Sequence, residues 1–302
     1  MLNKFHELFI SRKLFRNWLS ALISYVMWKY GVLRAIDCIN IRCLSNRSIC
    51  VEPEFVGRII HNYYIGYLRD VDCDGEHLIL NGLRILPKPR FNGQYWDFGS
   101  VKFVRFRDMV LEIFLKQPYS SVEVYGRVVV DVGAFVGDTA IYFALKGARR
   151  VYTIEPHPGA YQEMLENIKL NNMQDRIVPI NAALGSRPGI VKINNVDVET
   201  TAGMYHGLAD NGVIEVPMIT FKQLINDYGV EPDVLKMDCE GCEFDVVLND
   251  YEHVRLFREL IMEYHEVDRH KLSELLTLLN RNYRCNVTKE KPGFGVLHCA
   301  KI

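Results

Sequence analysis

The chain has 302 residues, of which 49% are apolar and 24% charged, an ordinary globular composition with room for one large domain or a domain plus an accessory region. A formal net charge of −1 excludes an overall basic field that would draw it to nucleic acid. The balance is uneven: residues 1–50 hold eight Lys/Arg (Lys4, Arg12, Lys13, Arg16, Lys29, Arg34, Arg42, Arg47) against Glu7 and Asp37, so the remainder is acidic.

Residues 1–35 carry apolar side chains at three- and four-residue steps, from Phe5, Leu8 and Phe9 to Val26, Tyr30 and Leu33, which predicts a basic amphipathic helix. The stripe is expected to pack on the body of the protein or on a second copy of the chain, in a homodimer. Peripheral contact with an anionic membrane is the alternative. The uncharged run Asn17–Trp28 is too short for a spanning helix, which needs roughly 20 residues. Neither a signal peptide nor a membrane anchor is read there. The eight cysteines (38, 43, 50, 73, 239, 242, 285, 299) lack the paired spacing of a zinc site, and in so large a chain they are expected to be reduced thiols. A cytoplasmic protein follows from these readings.

Further along, His77–Leu86 predicts a β-hairpin around Asn81-Gly82. Pro87–Gly99 reads as loop, and Val101–Lys116 as helix. Residues 1–125 are assigned to an N-terminal accessory region of mixed helical and β character, and 126–302 to the functional domain.

From residue 127 the pattern becomes strand–helix alternation. Strands are expected at 127–132, 150–154, 177–183, 234–237 and 260–262, with helices at 138–145 and 159–170 between them. Apolar strands without polar alternation indicate a parallel sheet buried on both faces. After a helix at 271–280, the runs 283–288 and 295–300 flank a short turn that only an antiparallel hairpin accommodates. The fold class is therefore α/β, Rossmann-like, mostly parallel with an antiparallel C-terminal hairpin. That is the topology of class I methyltransferases, whereas dinucleotide-binding domains continue with parallel strands.

The sharpest motif is Asp131-Val-Gly133-Ala134-Phe135-Val-Gly137-Asp138-Thr139, between a strand and a helix. Gly133 permits a tight turn, and Gly137 permits close ligand approach to the helix N-terminus. A dinucleotide fingerprint would place glycine at Phe135, so the motif favours a ligand ending in an amino acid over a pyrophosphate. Asp131 and the turn backbone are candidates to face a methionine ammonium and carboxylate. Otherwise the motif is a plain turn capped by Asp138 or Thr139.

Glu155 ends the next strand, followed by Pro156, where a carboxylate accepts hydrogen bonds from ribose hydroxyls. Asn181 and Ala182 end the third strand and suit an adenine edge. Asp238-Cys-Glu240-Gly-Cys-Glu243 follows the fourth strand, and Glu263-Tyr-His265 the fifth, delivering carboxylates and a histidine to one rim. Asp238, which also belongs to the cofactor set, Glu240 and His265 are the candidate bases; a divalent metal among these acids is possible but has no ligand pattern to support it. Alternatively, Glu240-Gly241 turns the chain and Glu243 caps the next helix. The segment 190–220 is expected to line or cover the acceptor site.

Together VVVDVGAFVGDTA (128–140), TIEPHPGAYQEMLENIKLNN (153–172), INAALG (180–185), LKMDCEGCEFDVV (235–247) and IMEYH (261–265) resemble the FkbM family of methyltransferases over roughly residues 125–300. The resemblance implies S-adenosylmethionine as donor and O-methylation of a hydroxyl on a sugar, glycolipid or secondary metabolite. The chain departs from the family pattern at Phe135, where Asn is usual, at Lys222, where Asp is usual, and at Cys239 and Cys242, which replace small apolar residues. The competing functions are an NAD-dependent oxidoreductase or epimerase, opposed by Phe135 and the hairpin, and a membrane-recruited binding module without turnover, supported by the basic helix.

Overall fold

The structure is a computed structural model that describes residues 9–33, 35–194, 213–239, 241–266, 271–291 and 293–302. The chain divides into two compact units, Met1–Ser121 and Val122–Ile302. The division falls a few residues before the expected one because Val122 and Val124 are buried and Gly126 donates its N–H to Gly147 O within the second unit.

In the first unit, helix α1 spans Trp18–Lys29, inside the expected helical segment. It buries Ala21 and Tyr25, and Tyr25 lies where a side chain at Gly57 of α2 (Pro53–Tyr64) would stand. Leu19, Ile23 and, just before the helix, Phe9 stay about half exposed. Strands β1 (Ile39–Arg42) and β2 (Ser48–Val51) pair antiparallel. A second sheet runs β3 (Val71–Cys73), β4 (Leu78–Leu80), β5 (Leu83–Phe91), β6 (Trp96–Gly99) and β7 (Lys102–Phe103).

The β4–β5 hairpin turns at Asn81-Gly82, both at positive φ as a type I′ turn requires. Pro87–Gly99 is not loop: β5 continues through both prolines. Its register with β6 shifts between Ile85 and Arg90, so residues that lack an N–H sit where the ladder is interrupted. The helix expected from Val101 starts only at Asp108 (α3, Asp108–Lys116), because Lys102–Phe103 completes the sheet.

The second unit is built on a seven-stranded sheet. Its strands in chain order are β8 (Val128–Val132), β9 (Arg150–Ile154), β10 (Ile177–Ile180), β14 (Val234–Met237), β15 (Glu259–His265), β16 (Tyr283–Lys291) and β17 (Phe294–Lys301). The spatial order is β10-β9-β8-β14-β15-β17-β16. Every pairing from β10 to β15 is parallel, and the β16–β17 hairpin adds antiparallel to β15. All residues of β8 and β14 are buried, as continuous apolar runs in a sheet covered on both faces must be.

Helices α4 (Asp138–Leu145), α5 (Pro158–Leu170), α6 (Phe221–Asp227), α7 (Cys242–Asn249), α8 (Tyr251–Val254) and α9 (Leu272–Leu279) connect the strands. The third strand ends at Ile180, short of the expected Ala183. Ala183–Leu184 instead opens a separate three-stranded sheet, as β11, with β12 (Gly189–Ile193) and β13 (Ile214–Ile219). The segment expected to line the acceptor site is thus strand at both ends, and its middle lies outside the described residues.

The expectation of reduced thiols is overturned. All eight cysteines pair, as Cys38–Cys50, Cys43–Cys73, Cys239–Cys242 and Cys285–Cys299. Sequence spacing could not reveal this: Cys285 and Cys299 meet because hairpin register sets them opposite one another. No helix among the described residues is long and apolar enough to cross a membrane.

Candidate active site

The carboxyl ends of β8, β9, β14 and β15 bring the predicted residues to one edge of the sheet. β8 leaves the sheet at Val132, and the chain turns through Gly133, Phe135 and Gly137 at φ of 72°, 45° and 83°. Three left-handed residues in five explain the two glycines and make Phe135 the unusual member. Asn tolerates this backbone better than a bulky side chain, so the family's usual Asn suits the turn itself.

The turn is held on its N–H side by β9. Ile154 O accepts from Gly133 N–H (3.0 Å) and Ala134 N–H (3.3 Å), and Glu155 Oε2 accepts from Phe135 N–H (2.9 Å). Glu155 Oε1 accepts from His157 N–H at 2.7 Å. Each carboxylate oxygen retains a second lone pair for a ligand hydroxyl. Burial pushes Glu155 up to about 7, against the pull of the His157 and Phe135 amides and the Lys236 charge. Asp138, in the first turn of α4, is likewise raised to about 7 by burial, opposed chiefly by Lys236.

Asp131 is fully buried and both its oxygens are engaged inside the protein. Oδ1 lies 2.9 Å from Lys236 Nζ, and Oδ2 accepts from Thr139 Oγ1 at 2.6 Å. These contacts let it brace the turn from behind. Asn181 likewise works on the backbone: its Nδ2 donates to Glu155 O (2.8 Å) and Pro156 O (3.1 Å), fixing the end of β9. Ala134 and Ala182 are buried, and their small side chains keep the edge open to a flat ligand.

On the other side, β14 delivers Asp238, whose N–H donates to Val132 O at 3.0 Å. Glu243 accepts from Cys239 N–H and Gly241 N–H, both at 2.7 Å. It thus caps the turn into α7, and burial raises it to about 7. The Cys239–Cys242 disulfide closes the same turn. Glu240 lies outside the described residues.

His265 ends β15 with its ring 5.0 Å from that of Phe294. Burial draws it below the usual histidine value, with the Asp238 charge opposing. Burial thus favours the neutral imidazole, the form a general base needs. Among the described residues, side chains with metal-ligand spacing lie elsewhere, at Asp250, Glu252 and His253, and at Cys43, Asp72 and Cys73, where both cysteines are disulfide-bonded.

Residues 131–285, more than half the chain, match the family described as "Methyltransferase FkbM domain". The chain belongs to the FkbM methyltransferase family. Its similarity to hexuronic acid methyltransferase AglP of Haloferax volcanii is 25% identity, covering 50% of this chain and 66% of that protein. To protein arginine N-methyltransferase 6 of Danio rerio it is 35% identical, over 32% of this chain and 26% of that one. The chain thus spans less than two thirds of either relative's length. Among solved structures it is similar to M. capricolum TrmK with S-adenosylhomocysteine, at TM-score 0.37 and 11% identity, covering 65% of this chain and 69% of that one.

The edge fits S-adenosylmethionine, the donor that the family resemblance implies. A methyl group at Gly133 or Gly137 would meet Asp238 O at 1.8 Å or Met164 Cγ at 2.8 Å, so the turn packs too closely for side chains and presents bare backbone. Beside it stands a carboxylate with lone pairs to spare at the end of β9. Sequence reading missed Lys236, the buried cation among the acids, although a lysine between Leu235 and Met237 in an apolar strand was the available signal.

Proposed function

We propose that the FkbM domain transfers a methyl group from S-adenosylmethionine to a hydroxyl of a sugar, glycolipid or secondary metabolite. The observation that carries this reading is the convergence at one sheet edge of the Gly133–Gly137 turn, Glu155, Asp238 and His265. S-adenosylmethionine supplies a methyl already activated on a sulfonium, which leaves the protein the work of alignment and proton removal. Glu155 and the turn backbone hold the donor, with Asp138, Pro156, Asn181 and Ala182 completing its surroundings. Neutral His265 takes the acceptor proton, and Asp238 stabilises the imidazolium that results. The other candidate base is Glu240, two positions after Asp238 in the sequence.

The choice of a saccharide acceptor draws on the similarity to a protein named as a hexuronic acid methyltransferase. The test is transfer of labelled methyl to hexuronates, neutral glycans and glycolipids, with peptides and RNA as nitrogen acceptors. Base-stable methyl ether in a saccharide product supports O-methylation. Label on nitrogen alone rejects it.

The cytoplasm expected from reduced thiols loses that support, because all eight cysteines are paired. Intracellular disulfides on this scale belong to hyperthermophiles; in a mesophile the same four bonds go with an oxidising compartment. A second reading concerns residues 1–35. Exposed Leu19 and Ile23, one helical turn apart and near Arg16 and Lys29, favour peripheral contact with an anionic membrane. Equal co-sedimentation with liposomes of chains with and without this segment rejects that contact.

A further inference from the structure

Lys236 occupies the middle of β14 between Leu235 and Met237, with its side chain completely buried. An ammonium in such a place is costly unless it is paired and fully hydrogen-bonded. It is both. Lys236 and Asp131 are register partners on adjacent strands, and Nζ lies 2.9 Å from Asp131 Oδ1. Nζ also donates to Gly133 O at 2.9 Å and Val132 O at 3.3 Å. Two carbonyls accept from the ammonium, and the Asp131 carboxylate balances its charge.

Those two carbonyls belong to the point where β8 leaves the sheet and the glycine turn begins. The opposite side of that turn is held by β9, through Ile154 O and the Glu155 carboxylate. Asn167 Nδ2 secures its far end by donating to Val136 O at 2.9 Å. Without Lys236, no described hydrogen bond from a side chain holds Val132 O or Gly133 O.

We propose that Lys236 is a positioning residue of the donor site, whose ammonium, oriented by Asp131, clamps the carbonyl side of the Gly133–Gly137 turn and so fixes the backbone that receives S-adenosylmethionine. The proposal rests on the methyl-transfer reading and gives the buried ion pair a role in it. Electrostatics agree: Asp131, Asp138 and Asp238 all act on Lys236, and its charge favours ionisation of Asp138 and Glu155 against their burial.

The test compares wild type, Asp131→Asn, Lys236→Met and the double variant Asp131→Asn/Lys236→Met. Lys236→Met alone strands a buried carboxylate and can fail to fold; the double variant removes both charges. Two quantities are read: hydrogen exchange of the Gly133, Ala134 and Phe135 amides in ligand-free protein, and S-adenosylhomocysteine affinity against pH. Asp131→Asn leaves the ammonium on both carbonyls but removes the charge that orients it, and is expected to lose less turn protection and affinity than the double variant.

The double variant is expected to keep core-strand protection while its turn amides exchange faster and its affinity falls about tenfold or more. Relative to Asp131→Asn, the pH midpoint of binding also moves up, because Glu155 and Asp138 have then lost a nearby cation. A lysine that only neutralised Asp131 would leave turn protection at the Asp131→Asn level. Turn protection, affinity and midpoint all matching Asp131→Asn would overturn the proposal and leave Lys236 as a counter-ion only. If wild type binds no S-adenosylhomocysteine, the methyl-transfer reading fails, and the exchange comparison still decides whether Lys236 holds the turn.

Discussion

Gly133 and Asp238 touch through their backbones: a methyl group on Gly133 would lie 1.8 Å from the carbonyl oxygen of Asp238. This contact joins the donor turn after β8 to the acidic loop after β14, the two segments that the reaction has to bring together. Gly133→Ala therefore meets both a left-handed φ of 72° and a backbone clash that no rotamer relieves. The expected loss is about 2–4 kcal/mol, from the left-handed penalty plus overpacking. Urea denaturation measures it, and a midpoint equal to wild type would show that the two loops are not in contact.

Donor binding should depend on pH. Burial raises Glu155 and Asp138 to about 7, so below that pH both carry a proton. A ribose hydroxyl donates to the ionised carboxylate, and a cationic donor favours it too, so binding selects the deprotonated forms. Affinity then rises with pH through about 7 and levels off above it. A single group gives at most about a tenfold change per pH unit. Calorimetric titration of S-adenosylhomocysteine at pH 6 and pH 8 reads the slope, which Glu155→Gln should reduce. A flat profile for wild type would mean that neither carboxylate titrates in the site.

His265 should govern turnover and not donor affinity. Its value lies below the ordinary histidine range, so the rate should fall as pH drops through that lower value, where the imidazole becomes protonated. His265→Asn is expected to cost about 10²–10⁴ in kcat, with S-adenosylhomocysteine affinity nearly unchanged. A variant that loses affinity instead of kcat assigns His265 to binding.

The fold of the second unit was largely legible, for a physical reason. Val128–Val132 and Val234–Met237 are buried on both faces, so their apolar runs have no competing reading, and the hairpin turn is too short for anything but antiparallel pairing. The sheet formed by Ala183–Leu184, Gly189–Ile193 and Ile214–Ile219 was not legible. Two residues carry no period, and Gly189–Ile193 is mostly exposed. In the site, residue types at the strand ends were readable but their partners were not. Asp131 reads as a ligand contact, and the structure adds Lys236 and Thr139 as its partners. Asn181 reads as an adenine edge, and only the structure adds that its amide nitrogen fixes the Glu155 and Pro156 carbonyls.

Disulfides should be a large part of the first unit's stability. Cys43–Cys73 closes a loop with sequence separation 30 and ties β3 to the end of β1. Replacing both cysteines by serine is expected to cost about 2–4 kcal/mol. Denaturation of the full chain with and without a dithiol reductant checks this, and identical midpoints would show that the pair does not form in solution.

The central claim is that the edge built by Glu155 and the Gly133–Gly137 turn is a site for S-adenosylmethionine. Calorimetric titration of S-adenosylhomocysteine, and separately of NAD, into wild type and Glu155→Ala tests it most directly. The account predicts S-adenosylhomocysteine binding with a Kd on the order of micromolar, clearly weakened by Glu155→Ala, and no NAD binding. Binding of NAD with none of S-adenosylhomocysteine would contradict it.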